Sequence, residues 1–198
     1  MNEFAWNMKK ETIQFKSDPN TLGTFTSTHP DQDSLKFQGK DAFYDINSSE
    51  LAISGVPFVV SADAFIYPDN GLANIQKGGL MSKLENAKII ADTTNKYHVI
   101  NRANVEVMGR KYYTANGYYE YNIKGKEQEI EFQNIVGQRV GKGKRSEKRT
   151  VTRATGMVTE EQEFFIDQKT SFQGTISLNA ESKALKFDGF ARLEAEKL

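Results

Sequence analysis

Phe172-Gln-Gly-Thr-Ile-Ser-Leu-Asn-Ala180 is followed fifteen positions later by Phe187-Asp-Gly-Phe-Ala-Arg-Leu-Glu-Ala195, with matching residue types at every second position. A third stretch, Leu35-Lys-Phe-Gln-Gly39, nearly repeats Leu185-Lys-Phe-Asp-Gly189. Apolar residues on alternate positions are typical of β-strands, because successive side chains of a strand point to opposite faces. These stretches predict a protein built from similar strand units. The short interval 180–184 predicts that the last two strands form an antiparallel hairpin.

The same alternation continues through the rest of the chain. Related phrases centre on alanine at irregular intervals, at Ala42, Ala64, Ala87 and Ala103. Together these patterns predict one all-β domain over residues 1–198, either an elongated β-roll or a jelly-roll-like sandwich of repeated short strands. The spacing of the apolar residues in 80–91 fits both one face of a helix and the alternation of a strand. We favour a strand there, because the phrase around Ala87 resembles the phrases around Ala42 and Ala64.

Two changes of direction are predicted from local signals. The apolar alternation before Gly39 and the alternation after Asp41 differ in parity, which predicts a bulge or bend between these two residues. Asn116-Gly117 separates two tyrosine-rich stretches, and Asn-Gly favours the positive φ of tight turns. We therefore predict a tight hairpin, or the corner of a coil, at Asn116-Gly117.

The composition excludes several classes of site. The chain of 198 residues has 26 basic and 26 acidic residues, so its formal net charge is zero and favours no polyanionic partner. Cysteine is absent, which excludes disulfides, zinc–thiolate sites and cysteine nucleophiles. The chain is nevertheless long enough to bury a hydrophobic core without such cross-links.

The sequence also bears on membrane insertion and targeting. No stretch approaches the roughly 20 consecutive apolar residues of a membrane-spanning helix. Residues 1–10 contain Trp6 and two lysines but lack the apolar segment of a signal peptide. We therefore expect no membrane-spanning segment, and we interpret the sequence as part of a larger protein.

Several phrases in the middle of the chain resemble known strand repeats. Gly55-Val-Pro57, Ser61-Ala-Asp-Ala64 and Tyr113-Thr-Ala-Asn-Gly117-Tyr-Tyr-Glu-Tyr121 look like repeats in large, uncharacterised envelope proteins of the Bacteroidota. The pattern is also similar to the β-rolls of lipopolysaccharide-transport proteins. The resemblance covers about the middle half of the chain. It implies a bacterial cell-envelope or extracellular location and sister domains of the parent chain as partners.

A cluster of tyrosines forms the first candidate ligand site. Its members are Tyr112, Tyr113, Tyr119 and Tyr121. Strand alternation predicts that Tyr119 and Tyr121 share one face. One hypothesis is core and cross-strand packing of these rings. The other is an exposed platform on which the rings of a glycan stack.

A basic run over residues 139–153 forms the second candidate site. It contains seven basic residues, one acidic residue, Glu147, and glycines at 141 and 143, and Gly137 lies just before it. We predict that residues 137–153 form a mobile basic loop, either simply solvated or bound to an anionic glycan or lipid head group. The candidate residues are Lys142, Lys144, Arg145, Lys148 and Arg149. Nucleic acid is the least favoured partner, because no aromatic residue lies in this run.

Catalytic and metal-binding patterns are weak. The two histidines, His29 and His98, have no His or Cys neighbour at ligand spacing, so we expect no bound metal or cofactor. No nucleophile elbow, phosphate-binding loop or dinucleotide fingerprint occurs. A glycan hydrolase would need two carboxylates about 5–9 Å apart in a cleft. We therefore expect a non-catalytic structural or interaction module of a larger bacterial surface protein, and as the alternative a glycan- or anion-binding module.

Overall fold

The computed structural model describes residues 3–18, 20–141 and 149–194, which form β-strands joined by short loops. The strands build two antiparallel sheets, one of five strands and one of eleven. The predicted all-β class is therefore confirmed, and the two sheets fit a β-sandwich. Short 3-10 turns occur in the loops at Pro30–Gln32, Asp69–Gly71 and Glu160–Gln162.

The smaller sheet is formed entirely by residues 3–75. In spatial order its strands are β1 (Glu3–Asn7), β2 (Thr12–Lys16), β5 (Asp41–Asp45), β6 (Glu50–Ser54) and β9 (Ala73–Ile75). β1 and β9 are its two edges. All five residues of β1 are exposed, including Phe4 and Trp6.

The larger sheet begins and ends with a hairpin. In spatial order its strands are β16 (Lys186–Leu193), β15 (Thr170–Asn179), β14 (Arg149–Val158), β13 (Glu129–Val140), β12 (Tyr112–Glu120), β11 (His98–Gly109), β10 (Leu84–Ala91), β8 (Ala64–Tyr67), β7 (Val59–Ser61), β4 (Lys36–Gly39) and β3 (Gly23–Thr26). From β10 to β16 each strand pairs with the next strand of the chain in an antiparallel meander.

The larger sheet curls, so that strands distant in spatial order come into contact. Asp63 lies in the turn between β7 and β8, and Thr152 lies in β14. The backbone N–H of Thr152 donates to one carboxylate oxygen of Asp63 at 2.9 Å, and the Thr152 hydroxyl donates to the other at 2.5 Å. In a flat sheet these strands would be five steps of about 4.8 Å apart, roughly 24 Å. The contact therefore requires a strongly curved sheet.

One hydrophobic core joins the two sheets. The smaller sheet contributes Ile53, and the larger sheet contributes Phe37, Val59 and Ile66. The alanines at the centres of the repeated phrases all lie in this core: Ala42, Ala64, Ala87 and Ala103. Small side chains at these points allow neighbouring strands and the facing sheet to approach closely.

Two local predictions are confirmed. Of the predicted strand 80–91, residues 84–91 form β10, and a positive φ at Asn86 accompanies register shifts on both sides of Ala87. This bulge explains why the stretch fits two periodicities. Between Gly39 and Asp41 the chain bends out of the larger sheet into the smaller one, and the N–H of Lys40 donates to the carbonyl of Ser54 at 2.8 Å. The apolar alternation thus switches from odd to even positions at the point where the chain passes from the larger sheet to the smaller one.

The predicted hairpin at Asn116-Gly117 is wrong. Both tyrosine-rich stretches belong to one continuous strand, β12, which pairs with β11 and β13. Gly117 is required for close packing, because a Cβ there would lie 2.8 Å from Cγ2 of Ile100 and 3.0 Å from Cβ of Ala103. The register between β12 and β13 shifts between Ala115 and Gly117. The glycine therefore marks a bulge within a strand.

The predicted mobile basic loop over residues 137–153 is wrong at both ends. β13 continues to Val140, β14 begins at Arg149, and these two residues are paired. Charged residues do not prevent pairing here, because Arg149 and Arg153 are exposed while Val151, between them, is buried. Residues 142–148 lie outside the described part of the chain.

The last two strands form the predicted antiparallel hairpin. Gly174 of β15 and Gly189 of β16, which hold the same place in the two repeated stretches, lie opposite each other. A Cβ at Gly189 would collide with the carbonyl oxygen of Gln173. The rings of Phe172 and Phe187 pack edge to face across this glycine pair, with centroids 5.3 Å apart. The two repeated stretches are therefore related by an approximate local two-fold axis between Gly174 and Gly189.

Candidate functional site

Tyr113 is fully buried and cannot contact a ligand in this structure. Its hydroxyl lies 2.8 Å from Oγ1 of Thr152. Since the single hydroxyl proton of Thr152 is donated to Asp63, the tyrosine is the donor. Its ring covers Gly137 of β13, where a Cβ would collide with it. Burial raises the pKa of the Tyr113 phenol. The inclusion of Tyr113 in a stacking platform is therefore wrong, and this side chain instead ties β12 to β14.

Tyr119 and Tyr121 are half-buried and their rings contact other aromatic side chains. Nε2 of His98 lies 2.6 Å from the carbonyl oxygen of Ser182, so this nitrogen donates and Nδ1 can accept from the Tyr119 hydroxyl at 3.2 Å. The Tyr121 hydroxyl donates to the carbonyl of Ile166 at 3.2 Å. Burial raises the pKa of both phenols. These are the contacts of core and cross-strand packing.

Tyr112 is the most exposed of the four candidate tyrosines, with 40% of its surface accessible. It is paired with Gly109 of β11, and the next residue, Tyr113, points to the opposite, buried face. The four rings therefore do not present a shared flat surface to solvent.

Of the five basic candidates, only Arg149 lies among the described residues. Its guanidinium forms a bidentate ion pair with Glu181, with Nε–Oε1 at 2.6 Å and Nη2–Oε2 at 2.9 Å. Such fork-like pairing occupies two of the guanidinium donors. Lys142, Lys144, Arg145 and Lys148 lie outside the described residues. The structure thus places one member of the basic set, and that member is paired within the chain.

The histidines have local structural contacts. His98 is buried between Tyr119 and Ser182, as described above, and Nδ1 of His29 accepts from the N–H of Asp31 at 3.2 Å. Within residues 3–18, 20–141 and 149–194, no group of three or more His, Asp or Glu side chains is arranged to hold a metal ion. In the same part of the chain no helix is long and apolar enough to cross a membrane.

β16 presents the longest unpaired strand edge in the described part of the chain. It has eight residues and pairs with β15 on one side only. Seven of the eight residues are exposed, and Phe190 and Leu193 have 76% and 75% of their surface accessible. The other edge strands, β1, β3 and β9, have five, four and three residues. Short length is one way in which proteins protect sheet edges from added strands, and β16 lacks this protection.

A groove of about 550 Å³ lies beside β16. Its lining combines aromatic rings with both signs of charge, and includes Lys126, Phe165, Phe190, Arg192 and Glu194. The ammonium nitrogen of Lys126 lies 3.0 Å from the ring centroid of Phe165, which is a cation–π contact. The groove therefore offers apolar and charged contacts next to the free edge.

Glu194 holds the end of β16 in place. The hydroxyl of Ser171 donates to its carboxylate at 2.7 Å, and Nε of Arg192 donates to the same oxygen at 3.3 Å. The hydrogen bond from Ser171, together with Arg192, lowers the pKa of the Glu194 carboxyl. These contacts stabilise the strand that carries the free edge.

The sequence prediction missed Phe190 and Leu193. A signal was present, because apolar residues occur at both parities in Phe190-Ala-Arg-Leu193, whereas a half-buried strand normally has them at one. Both side chains are exposed because no described element covers them on their faces of β16.

Comparison of the chain with family models, curated proteins and solved structures finds no match. The resemblance to Bacteroidota envelope repeats therefore stays a prediction from the phrases quoted above.

Proposed function

We propose that this chain is a non-catalytic structural or interaction module of a larger bacterial surface or envelope protein, and that a partner strand adds to the larger sheet at β16. The observation that carries this proposal is the long, unpaired and exposed edge of β16 with two large apolar side chains on it. Strand addition supplies main-chain hydrogen bonds, while alternate side chains supply specificity.

The two faces of β16 differ in chemistry, which defines the partner strand. Phe190 and Arg192 face the groove, where Lys126 and Phe165 also lie. Leu193 points to the other face, on the same side as Phe187, which packs against the core. A matching partner therefore carries apolar residues on the face of Leu193, while the groove face accepts apolar as well as polar residues.

Selection from a displayed library of extended peptides of about ten residues, the length of a long strand, tests this proposal on the immobilised intact chain. We expect enrichment of alternating peptides that bind the native chain and not the double variant Phe190→Lys/Leu193→Lys, because edge lysines oppose strand addition. Trp6→Lys on the exposed strand β1 is the matched control and should retain binding. A selection with no enriched peptide, or with binding that depends on Trp6, would contradict the proposal.

The alternative proposal is a glycan- or anion-binding module. The observation that favours it is the groove, where the exposed ring of Phe190 and the half-buried ring of Phe165 lie near Lys126 and Arg192. An array of glycans and anionic lipids, probed at low and high salt, tests it. Binding that salt abolishes would indicate the basic side chains, because exposed charge contacts are screened. Binding that salt leaves unchanged would indicate stacking on Phe165 and Phe190, and no binding to any ligand would reject this alternative.

A further inference from the structure

The two hairpins at the edges of the larger sheet have nearly the same sequence and the same register. In the first, Gly23-Thr-Phe-Thr26 pairs with Lys36-Phe-Gln-Gly39. In the second, Gly174-Thr-Ile-Ser177 pairs with Lys186-Phe-Asp-Gly189. In both, glycine lies opposite glycine, an apolar residue lies opposite phenylalanine, and a hydroxyl residue lies opposite lysine. The match therefore extends to two strands and to the way they are paired.

The connections within the two hairpins are also alike. Residues 27–35 and residues 178–185 join the paired segments, and both connections end in a leucine directly before Lys-Phe. In each hairpin the phenylalanine of the second strand contacts a second ring, Phe25 with Phe37 at 5.5 Å and Phe172 with Phe187 at 5.3 Å. Beyond the glycines the hairpins differ, because β4 ends at Gly39 while β16 continues to Leu193. The equivalence covers the four paired positions and the connection.

The free edges of the two hairpins are complementary. β4 is covered on its outer side by β7, with Phe37 opposite Val59, while β3 is free. β15 is covered by β14, while β16 is free. Each hairpin therefore has a neighbour on the side where the other has none. When the hairpins are superposed, the free edge of β16 corresponds to the edge of β4 that β7 covers.

The second strands of the two hairpins, β4 and β16, differ in how deeply their equivalent residues are buried. Phe37 is only 6% exposed and Gly39 is buried, whereas the equivalent Phe187 is half-buried and Gly189 is exposed. A Cβ at Gly39 would lie 2.5 Å from Cγ2 of Ile53 in β6, so the smaller sheet covers this point of β4. In the described structure no equivalent of β6 or β7 covers β16.

We infer that β15 and β16 are the opening hairpin of a second structural unit, and that the free edge of β16 binds an extended segment of the β6–β7 type. This inference rests on the proposed function and names its partner. The segment is uncharged over the stretch equivalent to residues 51–61, Leu-Ala-Ile-Ser-Gly-Val-Pro-Phe-Val-Val-Ser, and sets the equivalent of Val59 opposite Phe187. An intact second copy does not fit, since its own β4 already covers its β7.

The test uses the intact chain with a tail. Residue 198 is followed by about ten Gly/Ser residues, which span roughly 18 Å, and then by a second copy of residues 51–67. The tether raises the effective concentration of the tail to the order of millimolar. The control protein carries the same tail residues in scrambled order, so that length and composition are matched.

Amide hydrogen exchange of β16 gives the readout. With the native tail we expect exchange about tenfold slower than with the scrambled tail, the factor that corresponds to about 1.4 kcal/mol. Amides of β11 in the centre of the sheet should exchange equally in both proteins, which reports that the body is folded. Equal exchange of β16 in both proteins, or protection of β3 in place of β16, overturns the inference. Selected peptides that still require Phe190 and Leu193 would then leave the proposed function standing with a different partner.

Discussion

The hairpins β3–β4 and β15–β16 pair matching residue types, yet Phe37 and Gly39 of β4 are buried while the equivalent Phe187 is half-buried and Gly189 is exposed. Local sequence determines their pairing, because Gly23↔Gly39 and Gly174↔Gly189 fix the same register in both. Burial depends instead on the elements that lie against them. β7 and β6 cover β4, whereas in the described residues no strand pairs with the outer edge of β16. The local sequence of these hairpins therefore determines how their strands pair, and the surrounding elements determine how deeply they are buried.

The largest effect is expected for Phe37→Ala in the covered hairpin. This ring is almost fully buried and stacks on Phe25, so its loss removes apolar burial and leaves a cavity. We expect the free energy of unfolding to fall by about 3–5 kcal/mol, measured by denaturant titration. Phe190→Ala, at an exposed position of β16, is the control and should change stability by less than about 0.5 kcal/mol. Equal losses in both variants would show that the two hairpins do not differ in burial.

Gly39→Ala should have the next largest effect, because the new Cβ would meet Ile53 across the two sheets. We expect a loss of about 1–3 kcal/mol, as for other overpacked cores. Combining it with Ile53→Ala tests the cause, because this substitution removes the Cγ2 atom that the new Cβ would meet, so the double variant should be more stable than the sum of the single effects predicts. Additive losses would indicate that Ile53 is not the obstacle.

Phe187→Ala, at the position equivalent to Phe37, should cost less. Its ring is half-buried and packs against Phe172 and Tyr121. We expect roughly 1–2 kcal/mol, about half the loss for a fully buried ring, in the same denaturant titration. In the tailed protein described above the loss should increase, because a bound segment would bury this ring further. A loss as large as that of Phe37→Ala in the untailed chain would contradict the comparison.

The smallest effect is expected from acid at the end of β16. The pKa of Glu194 in the folded chain is lowered by Ser171 and Arg192, so this contribution is present above the unfolded-state value of 4.5 and is lost as pH falls through the folded-state value. We expect the amides at the end of β16 to exchange faster, relative to their intrinsic rates, as the pH falls below 4.5 and through the lowered folded-state pKa. The end of β4 is held by the backbone hydrogen bond from the N–H of Lys40 to the carbonyl of Ser54 and should not respond. Glu194→Gln should remove the pH dependence in β16.

The strand phrases were predictable because they depend on near neighbours in sequence. Alternation about Gly174 and Gly189 predicted the last hairpin, and the phrase around Ala87 predicted β10. The parity change after Gly39 predicted a bend, although not that the bend joins two sheets. In each case the signal lies in the alternation of the strand itself or of the strand next to it in the chain.

The errors arose where a distant contact overrides a local preference. Asn116-Gly117 has the sequence of a tight turn, but the glycine is needed because Ile100 and Ala103 lie against it. The basic run suggested a loop, but Val151 is buried between exposed arginines and keeps the segment in the sheet.

The candidate site was less predictable than the fold. The burial of Tyr113 depends on Thr152, two strands away in the curled sheet. The exposure of Phe190 and Leu193 depends on which elements lie over β16, which is a property of the whole fold and not of the strand's own sequence.

The bond from Thr152 to Asp63 has a consequence for the folding rate. The meander from β10 to β16 can grow one hairpin at a time, because each strand pairs with the next in sequence. The contact between Asp63 and Thr152 joins residues 89 positions apart, and that between His98 and Ser182 joins residues 84 apart. Such closures raise the contact order, and β-rich domains of high contact order fold in about milliseconds to seconds. Removing the Asp63 carboxylate, which joins the early and late parts of the chain, should therefore speed unfolding more than it slows the growth of the meander.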